Sequence, residues 1–232
     1  MPLATNASSR SRTNNCYTDY MTQFYFVRHA ETEMNVQPDI IGGRSNQTPL
    51  TPRGKRQAAL FGEWLGAQED IKPDIVYVSP AIRTRDTAHI ILEHSQLEGI
   101  PYRIDERLQE LSQGIKEGAS RNATYTDTVR QLIAENPLGF KFEGGESIEE
   151  VMRRMYAALS SFHALHGGKT ILVVSHGFAI RSLVGHIEQR EHDDIVFGMK
   201  TPNVSVTHIT INENLPKVHT IGHDVAKVEL VA

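Results

Sequence analysis

From residue 24 onward, apolar positions fall into two alternating rhythms. Short unbroken runs (Phe24 to Val27, Ile75 to Val78 and Thr170 to Val174) are bounded by polar residues. Runs of this length, rich in β-branched and aromatic side chains, predict strands buried on both faces. Between them, apolar residues return every three or four positions. Ala58, Leu60, Phe61, Trp64 and Leu65 predict a helix to about Gln68, opened by Thr51 as N-cap and Pro52 at its first position. Ile82, Ala88, Ile90, Ile91 and Leu92 predict a second helix over 81–93. Val151, Met155, Leu159 and Phe162 predict a third, with Ser147 as cap, Glu149 and Glu150 in the first turn, and Gly167-Gly168 ending it. A fourth should run over 178–189. Shorter strands are expected at 101–104 and 204–211, and over 217–231 at or near a sheet edge. Strands alternating with helices imply an α/β protein: a three-layer α/β/α sandwich around a mainly parallel sheet.

Two stretches break the rhythm. Met1 to Tyr20 is rich in Asn, Ser, Thr and Arg without a hydrophobic period, and reads as a flexible N-terminal extension before a single domain over 21–232. Residues 105–145 mix Gly, Asn, Pro and charge, with a helix expected near 127–134. A long insertion of that kind in a compact domain is more often functional than structureless, so it reads as a lid.

Composition narrows the function classes. The chain has 232 residues and a net charge of −4, so no global field favours nucleic acid and any anion site must be local. Its single cysteine, Cys16, rules out intrachain disulfides, and a cytoplasmic address is the default expectation. No apolar run approaches the ~18 residues of a membrane span. An exposed sheet edge makes a homodimer an open option.

Reactive groups gather at predicted strand ends. Arg28-His29 follow the first strand, Ser79 and Arg83 the second, and Ser175-His176 the best-formed one, while Glu110 lies where the third feeds the lid. In parallel sheets, ligands bind beyond the carboxyl ends of the strands. Cations and imidazoles placed there are costly to bury without a partner, and an anion is the natural one. Arginines offer paired donors to phosphate oxygens, a histidine can serve as nucleophile or base, and a carboxylic acid can protonate a leaving oxygen. Glu106 and Glu117 are alternative acids. No metal or other cofactor is called for.

The segment Val27-Arg28-His29-Ala30-Glu31-Thr32-Glu33-Met34-Asn35 resembles the signature of the histidine phosphatase (phosphoglycerate mutase-like) superfamily. Further blocks resemble it in order: Thr48 to Gly54 with Gln57-Ala58, Ser79 to Arg83 with Thr87-Ala88, Arg107 to Glu110, and Gly144 to Ser147 leading to Ser175-His176-Gly177. The resemblance implies that His29 is phosphorylated in turnover. It also implies that Arg28, Arg83 and His176 clamp the phosphoryl group, with Asn35 as a further donor and Thr32 and Asn203 near the pocket. Glu110 would be the acid that becomes the base. Ala30 departs from the usual glycine, which is tolerable wherever φ is negative. Three readings compete. The favoured one is a phosphatase acting on a small phosphomonoester such as a sugar phosphate or phosphoglycerate. A bisphosphoglycerate-dependent phosphoglycerate mutase is the alternative, and a non-catalytic phosphate-binding interaction protein is the least favoured. The short span from Glu110 to His176 resembles the phosphatase branch, and Lys116, Arg121, Arg130 and Lys141 are the lid's candidate substrate contacts.

Overall fold

The computed structural model describes residues 21–97 and 99–225, so the N-terminal extension and residues 226–232 lie outside the described residues. In chain order the elements are β1 (Thr22–Arg28), α1 (Pro52–Ala67), β2 (Ile75–Val78), α2 (Ile82–His94), β3 (Tyr102–Ile104), α3 (Arg121–Thr124), α4 (Asp127–Glu135), α5 (Ile148–Leu165), β4 (Thr170–Ser175), α6 (Gly177–Glu188), β5 (Val206–Asn212) and β6 (Leu215–His223). They build one six-stranded sheet in the order β3-β2-β4-β1-β5-β6. The pairs β3-β2, β2-β4 and β4-β1 are parallel; β5 and β6 run antiparallel on the far side.

Helices cover both faces because alternate residues of the central strands point opposite ways. Phe24, Phe26, Ile171 and Val173 pack with Val151, Met155 and Phe162 of α5 and with Ile180 and Leu183 of α6. Val27, Leu172, Val174, Val76 and Val78 pack with Phe61 and Leu65 of α1 and with Ala88 and Ile91 of α2. The sandwich is therefore three-layered and mainly parallel, as the hydrophobic pattern predicts.

Register decides where the chemistry falls. Arg28 lies level with Ser175, and Val78 with Val174, so His29, His176 and Ser79 leave the sheet at the same edge. Local capping reinforces the layout. Thr51 accepts from the Gly54 N–H at 2.9 Å and Pro52 opens α1. At α5, Ser147 and Glu150 form a reciprocal capping box. By contrast, α6 opens on His176 without a side-chain cap of its own.

The sequence reading differs from the structure in three places. The last strand starts at Leu215, two residues earlier than expected, because Glu213 and Asn214 take positive φ (50° and 64°) and turn β5 back on itself. Residues 224 and 225 are not strand, and the rest of the expected 217–231 run lies outside the described residues. The strand expected from 204 begins at Val206, since the buried Val204 adopts φ 54° in a turn after Pro202. Residues 194–198 form a π-helical turn that the apolar pattern does not signal. The 105–145 segment holds 3-10 turns at 106–108 and 114–116 together with α3 and α4, and α4 matches the helix expected near 127–134.

Candidate active site

His29 emerges from β1 with its main-chain N–H bonded to the Ser175 carbonyl at 2.9 Å, which ties the first strand end to the fourth. The side chain is only 4% exposed, and its Nδ1 lies 2.8 Å from the Ala30 carbonyl oxygen. A carbonyl only accepts, so Nδ1 carries the proton and Nε2 keeps a free lone pair. Burial, then the nearby cations Arg83 and Arg28, hold the imidazole well below the ordinary histidine range, and the Ala30 bond only partly opposes this. A neutral ring with one bare nitrogen is what a nucleophile needs. Ala30 itself is buried with negative φ, so the methyl in place of glycine sits in ordinary backbone.

A cavity of about 250 Å³ opens beside this ring, lined by Arg28, His29, Thr32, Asn35, Arg83 and Glu110 among others. Arg83, from the first turn of α2, is held by carbonyls of the preceding loop: Nη1 donates to Arg44 at 2.8 Å and to Ser45 at 3.0 Å. Burial pulls its guanidinium down to about 10, so it stays charged at neutral pH. Arg28 donates from Nη1 to the Thr201 carbonyl at 2.8 Å, and its buried Nε has no protein partner. Gly177 makes room for it, because a Cβ there would lie 3.1 Å from that Nε. Two cations facing one small cavity suit an anionic occupant.

Two of the residues expected to touch the anion stand behind this wall. Fully buried, His176 has both ring nitrogens engaged: Nδ1 accepts from Arg83 Nε at 3.2 Å and Nε2 meets Ser79 Oγ at 2.7 Å. As placed, it orients Arg83 instead of donating to an anion directly. Burial and the Arg83 charge hold it, too, well below the ordinary histidine range. Asn203 spends its amide N–H groups on the His29 carbonyl (2.9 Å) and on Asn35 Oδ1 (3.2 Å), so it fixes the His29 backbone rather than lining the cavity. Thr32 and Asn35 close a tight turn on each other, Thr32 N–H to Asn35 Oδ1 at 3.1 Å and Asn35 N–H to Thr32 Oγ1 at 3.2 Å. That turn leaves the Asn35 amide nitrogen as the group available to a ligand.

Glu110 lines both this cavity and a cleft of about 1280 Å³ beside it. Its carboxylate supplies the cap that α6 lacks. Oε1 accepts from the N–H groups of Ala179 (2.9 Å) and Leu111 (3.0 Å), while Oε2 accepts from Phe178 N–H at 3.1 Å. Each carboxylate oxygen has two lone pairs, so Oε2 keeps one for a proton. The competing acids are committed elsewhere. Glu106 accepts from Gln109 Nε2 at 2.6 Å, and Glu117 accepts from the main-chain N–H groups of Arg44, Ser45 and Gln113. Neither lines the two cavities.

The larger cleft adds residues that the strand-end argument missed. Arg181 of α6 lines it, donating to the Val196 carbonyl at 2.7 Å with a buried Nε that has no protein partner. Its position four residues after Gly177 and three before Val184, on the buried stripe of α6, was the available signal. Of the lid cations, Arg121 lines both cavities, and Arg130 and Lys141 line the larger one. Lys116 lines neither, Lys141 is paired with Glu150 at 2.7 Å, and Arg44, on the loop before α1, is paired with Glu146 at 3.0 Å. His163 and His166 are spent on structure, bonding Thr22 and Tyr77 and so fixing the end of α5 to β1 and β2.

Residues 24–224 match the family model described as histidine phosphatase superfamily (branch 1). A protein of Klebsiella pneumoniae named "Probable phosphoglycerate mutase GpmB" is 38% identical over 173 residues, covering 72% of this chain and 75% of its own. The same-named protein of Salmonella paratyphi C is 36% identical over the same coverage. Among solved structures, YhfR of Bacillus stearothermophilus superposes with a TM-score of 0.77 at 27% identity, covering 90% of this chain and 100% of that one. A phosphoserine phosphatase of Entamoeba histolytica shares the fold with a TM-score of 0.75 at 23% identity, covering 88% of this chain and 98% of that one. With the sheet edge, the paired arginines and the bare imidazole already in place, the match over nearly all the described residues makes this chain a member of the histidine phosphatase superfamily.

Proposed function

We propose that this protein is a phosphatase that hydrolyses a small phosphomonoester through a phosphohistidine on His29. The observation that carries the reading is the committed tautomer of a buried imidazole, with Nδ1 on the Ala30 carbonyl, beside a cavity faced by Arg28 and Arg83. In the first step Nε2 attacks phosphorus in line, the N–P bond forms and the ester P–O bond breaks. Glu110 Oε2 gives its proton to the departing alkoxide. In the second step water attacks phosphorus, Glu110 takes the water's proton, and the N–P bond breaks to release phosphate. The guanidinium groups stabilise charge on the transferring oxygens, by positioning more than by covalent chemistry. His176 and Asn203 serve the step through Arg83 and the His29 backbone. The substrate is a phosphorylated metabolite, and Arg121 and Arg130 on the lining of the larger cleft support a contact with its remaining polar groups. A cytoplasmic setting fits a chain with a single cysteine.

Hydrolysis is favoured over transfer because the nucleophile's cavity adjoins a broad cleft, and water reaches an unshielded phosphoenzyme easily. Mutase chemistry is the second reading, favoured by the printed names of the 36–38% identical relatives. The deciding experiment assays phosphate release from a panel of phosphorylated metabolites beside phosphoglycerate isomerisation with and without bisphosphoglycerate. Release that is lost in His29→Ala is the expected result. Isomerisation that depends on bisphosphoglycerate, with no release, assigns the mutase reaction instead. Full activity in His29→Ala removes both.

A further inference from the structure

Glu110 sits in a stretch, 109–113, that belongs to no helix or strand, so no ladder of backbone bonds fixes it. Its carboxylate is tied to the start of α6, and its backbone is held from a second side, by α5. The guanidinium of Arg154, on α5, donates from Nη1 to the carbonyls of Arg107 and Gln109, both at 2.7 Å. Nη2 donates to the carbonyl of Glu110 itself at 3.0 Å. The same guanidinium is squared against Glu146, Nε to Oε1 at 2.8 Å and Nη2 to Oε2 at 3.0 Å. Glu146 also accepts from the Ser112 N–H at 3.1 Å, so the pair grips the segment on both sides of Glu110. Both side chains are largely withdrawn from solvent, at 15% and 17% exposure. Arg154 lines neither cavity.

We propose that Arg154 is the positioning residue for the proton-transfer carboxylate, holding Glu110 over the phosphate cavity while touching no substrate itself. The proposal rests on the reading of Glu110 as the acid and base of turnover. The arrangement uses what distinguishes arginine from lysine: a rigid planar fork that meets carbonyls on one edge and a carboxylate on the other. Without it, the carbonyls of residues 107, 109 and 110 lose their donor and Glu146 loses its main counter-charge. The segment is then held chiefly by the Glu110 carboxylate on the N–H groups of Leu111, Phe178 and Ala179 and by Ser175 Oγ on the Leu108 carbonyl, and its backbone can shift. A displacement of ~1 Å at a reacting group can cost on the order of a hundredfold in rate.

The role has a signature that general loosening of the fold lacks. Breaking an alkyl phosphate requires a proton on the leaving oxygen, whereas p-nitrophenolate departs readily without one. Phosphorylation of His29, read as kcat/KM, should therefore depend on Arg154 only when the leaving group is poor. The experiment compares kcat/KM for an alkyl phosphate and for p-nitrophenyl phosphate in wild type, Glu110→Gln, Arg154→Met, Arg154→Lys and the double variant Glu110→Gln/Arg154→Met. In Arg154→Met the alkyl-to-nitrophenyl ratio should fall by about tenfold or more, within the ~10²–10⁴ that general acid catalysis supplies. Arg154→Lys should recover only part of that loss. In the double variant the ratio should fall no further than in Glu110→Gln alone, because the two act in series. Equal losses on both substrates, or multiplicative losses in the double variant, overturn the proposal. If Glu110→Gln leaves the ratio unchanged, the assignment of the acid fails instead, and the two failures are told apart by that variant alone.

Discussion

Around His29, the cavity wall comes from strand ends and the helices that follow them, and its side chains are pinned on several sides. Arg83 is held by the carbonyls of Arg44 and Ser45 and by His176, while His176 is in turn held by Ser79. Across the cleft the lid is built differently: α4 buries no residue, and Leu132 stands 47% exposed. Arg121, which lines both cavities, reaches back by Nε to the Pro38 carbonyl at a long 3.3 Å. The wall is determined by the same contacts that determine the fold, so its chemistry varies little without cost to stability. Side chains on the exposed face of α4 can change with little cost to the fold, and exposed surface segments of this kind are where specificity commonly varies.

The sharpest way to test that contrast is to truncate one cation on each side. On the proposed mechanism Arg83→Ala removes a donor to the transferring oxygens, and it also leaves His176 Nδ1 and the loop carbonyls without that donor. It should lower kcat/KM by about 10²–10³-fold, as loss of a single transition-state donor does elsewhere. It should also lower stability by ~1–3 kcal/mol, measured by urea unfolding, because buried acceptors lose their donor. A loss of rate with unchanged stability would show that wall and fold are separable.

A second test uses pH, since among the described residues the wall's two histidines are the ones held well below the ordinary value, with His163, His166 and His208 lowered by burial in the same direction but less. Burial, followed by nearby cations, keeps His29 and His176 well below the ordinary histidine value. Between their folded values and the unfolded value of ~6.5, the unfolded chain binds protons that the native state refuses. Their contribution is therefore complete above about pH 6.5 and is lost as pH falls below it, by up to ~1.4 kcal/mol per pH unit for each ring. The urea midpoint should drop between about pH 7 and about pH 5.5. On the same grounds, the acid limb of kcat/KM that belongs to His29 should lie below the ordinary histidine range. A flat unfolding midpoint over that interval contradicts the neutral, buried state of both rings.

The smallest effect is expected from the lid. Arg121→Ala should raise KM by less than about tenfold, leave kcat nearly unchanged and not move the unfolding midpoint, as exposed charges usually behave. A large fall in kcat would place Arg121 in the transition state and erase the distinction between lid and wall.

How much of this was legible in the sequence follows the same division. The buried runs ending in Arg28-His29, Val78-Ser79 and Ser175-His176 announce strands whose ends meet, because apolar periodicity is a local signal. The caps at Thr51 and Ser147 are legible for the same reason, as each is written within four residues. What the sequence did not show is who holds whom across the sheet edge. His176 and Asn203 read as ligand contacts, yet their nitrogens are consumed by Arg83, Ser79, His29 and Asn35, partners far away in the chain. Arg154 lies three residues after Val151 and four before Ala158, an arginine set into the apolar stripe of α5 whose partners the local pattern does not reveal. A charge in that position has to be paired, and the pairing was the missing clue.

The expectations for rate depend on a covalent bond between His29 and phosphorus. The most direct measurement is rapid quenching of enzyme mixed with radiolabelled substrate, in wild type and in Glu110→Gln, followed by peptide mapping of the trapped protein. Label that is labile to acid, stable to alkali, carried by the peptide containing His29 and more abundant in Glu110→Gln is the expected result. Turnover with no trapped label in either protein, or label on a different residue, would contradict the account.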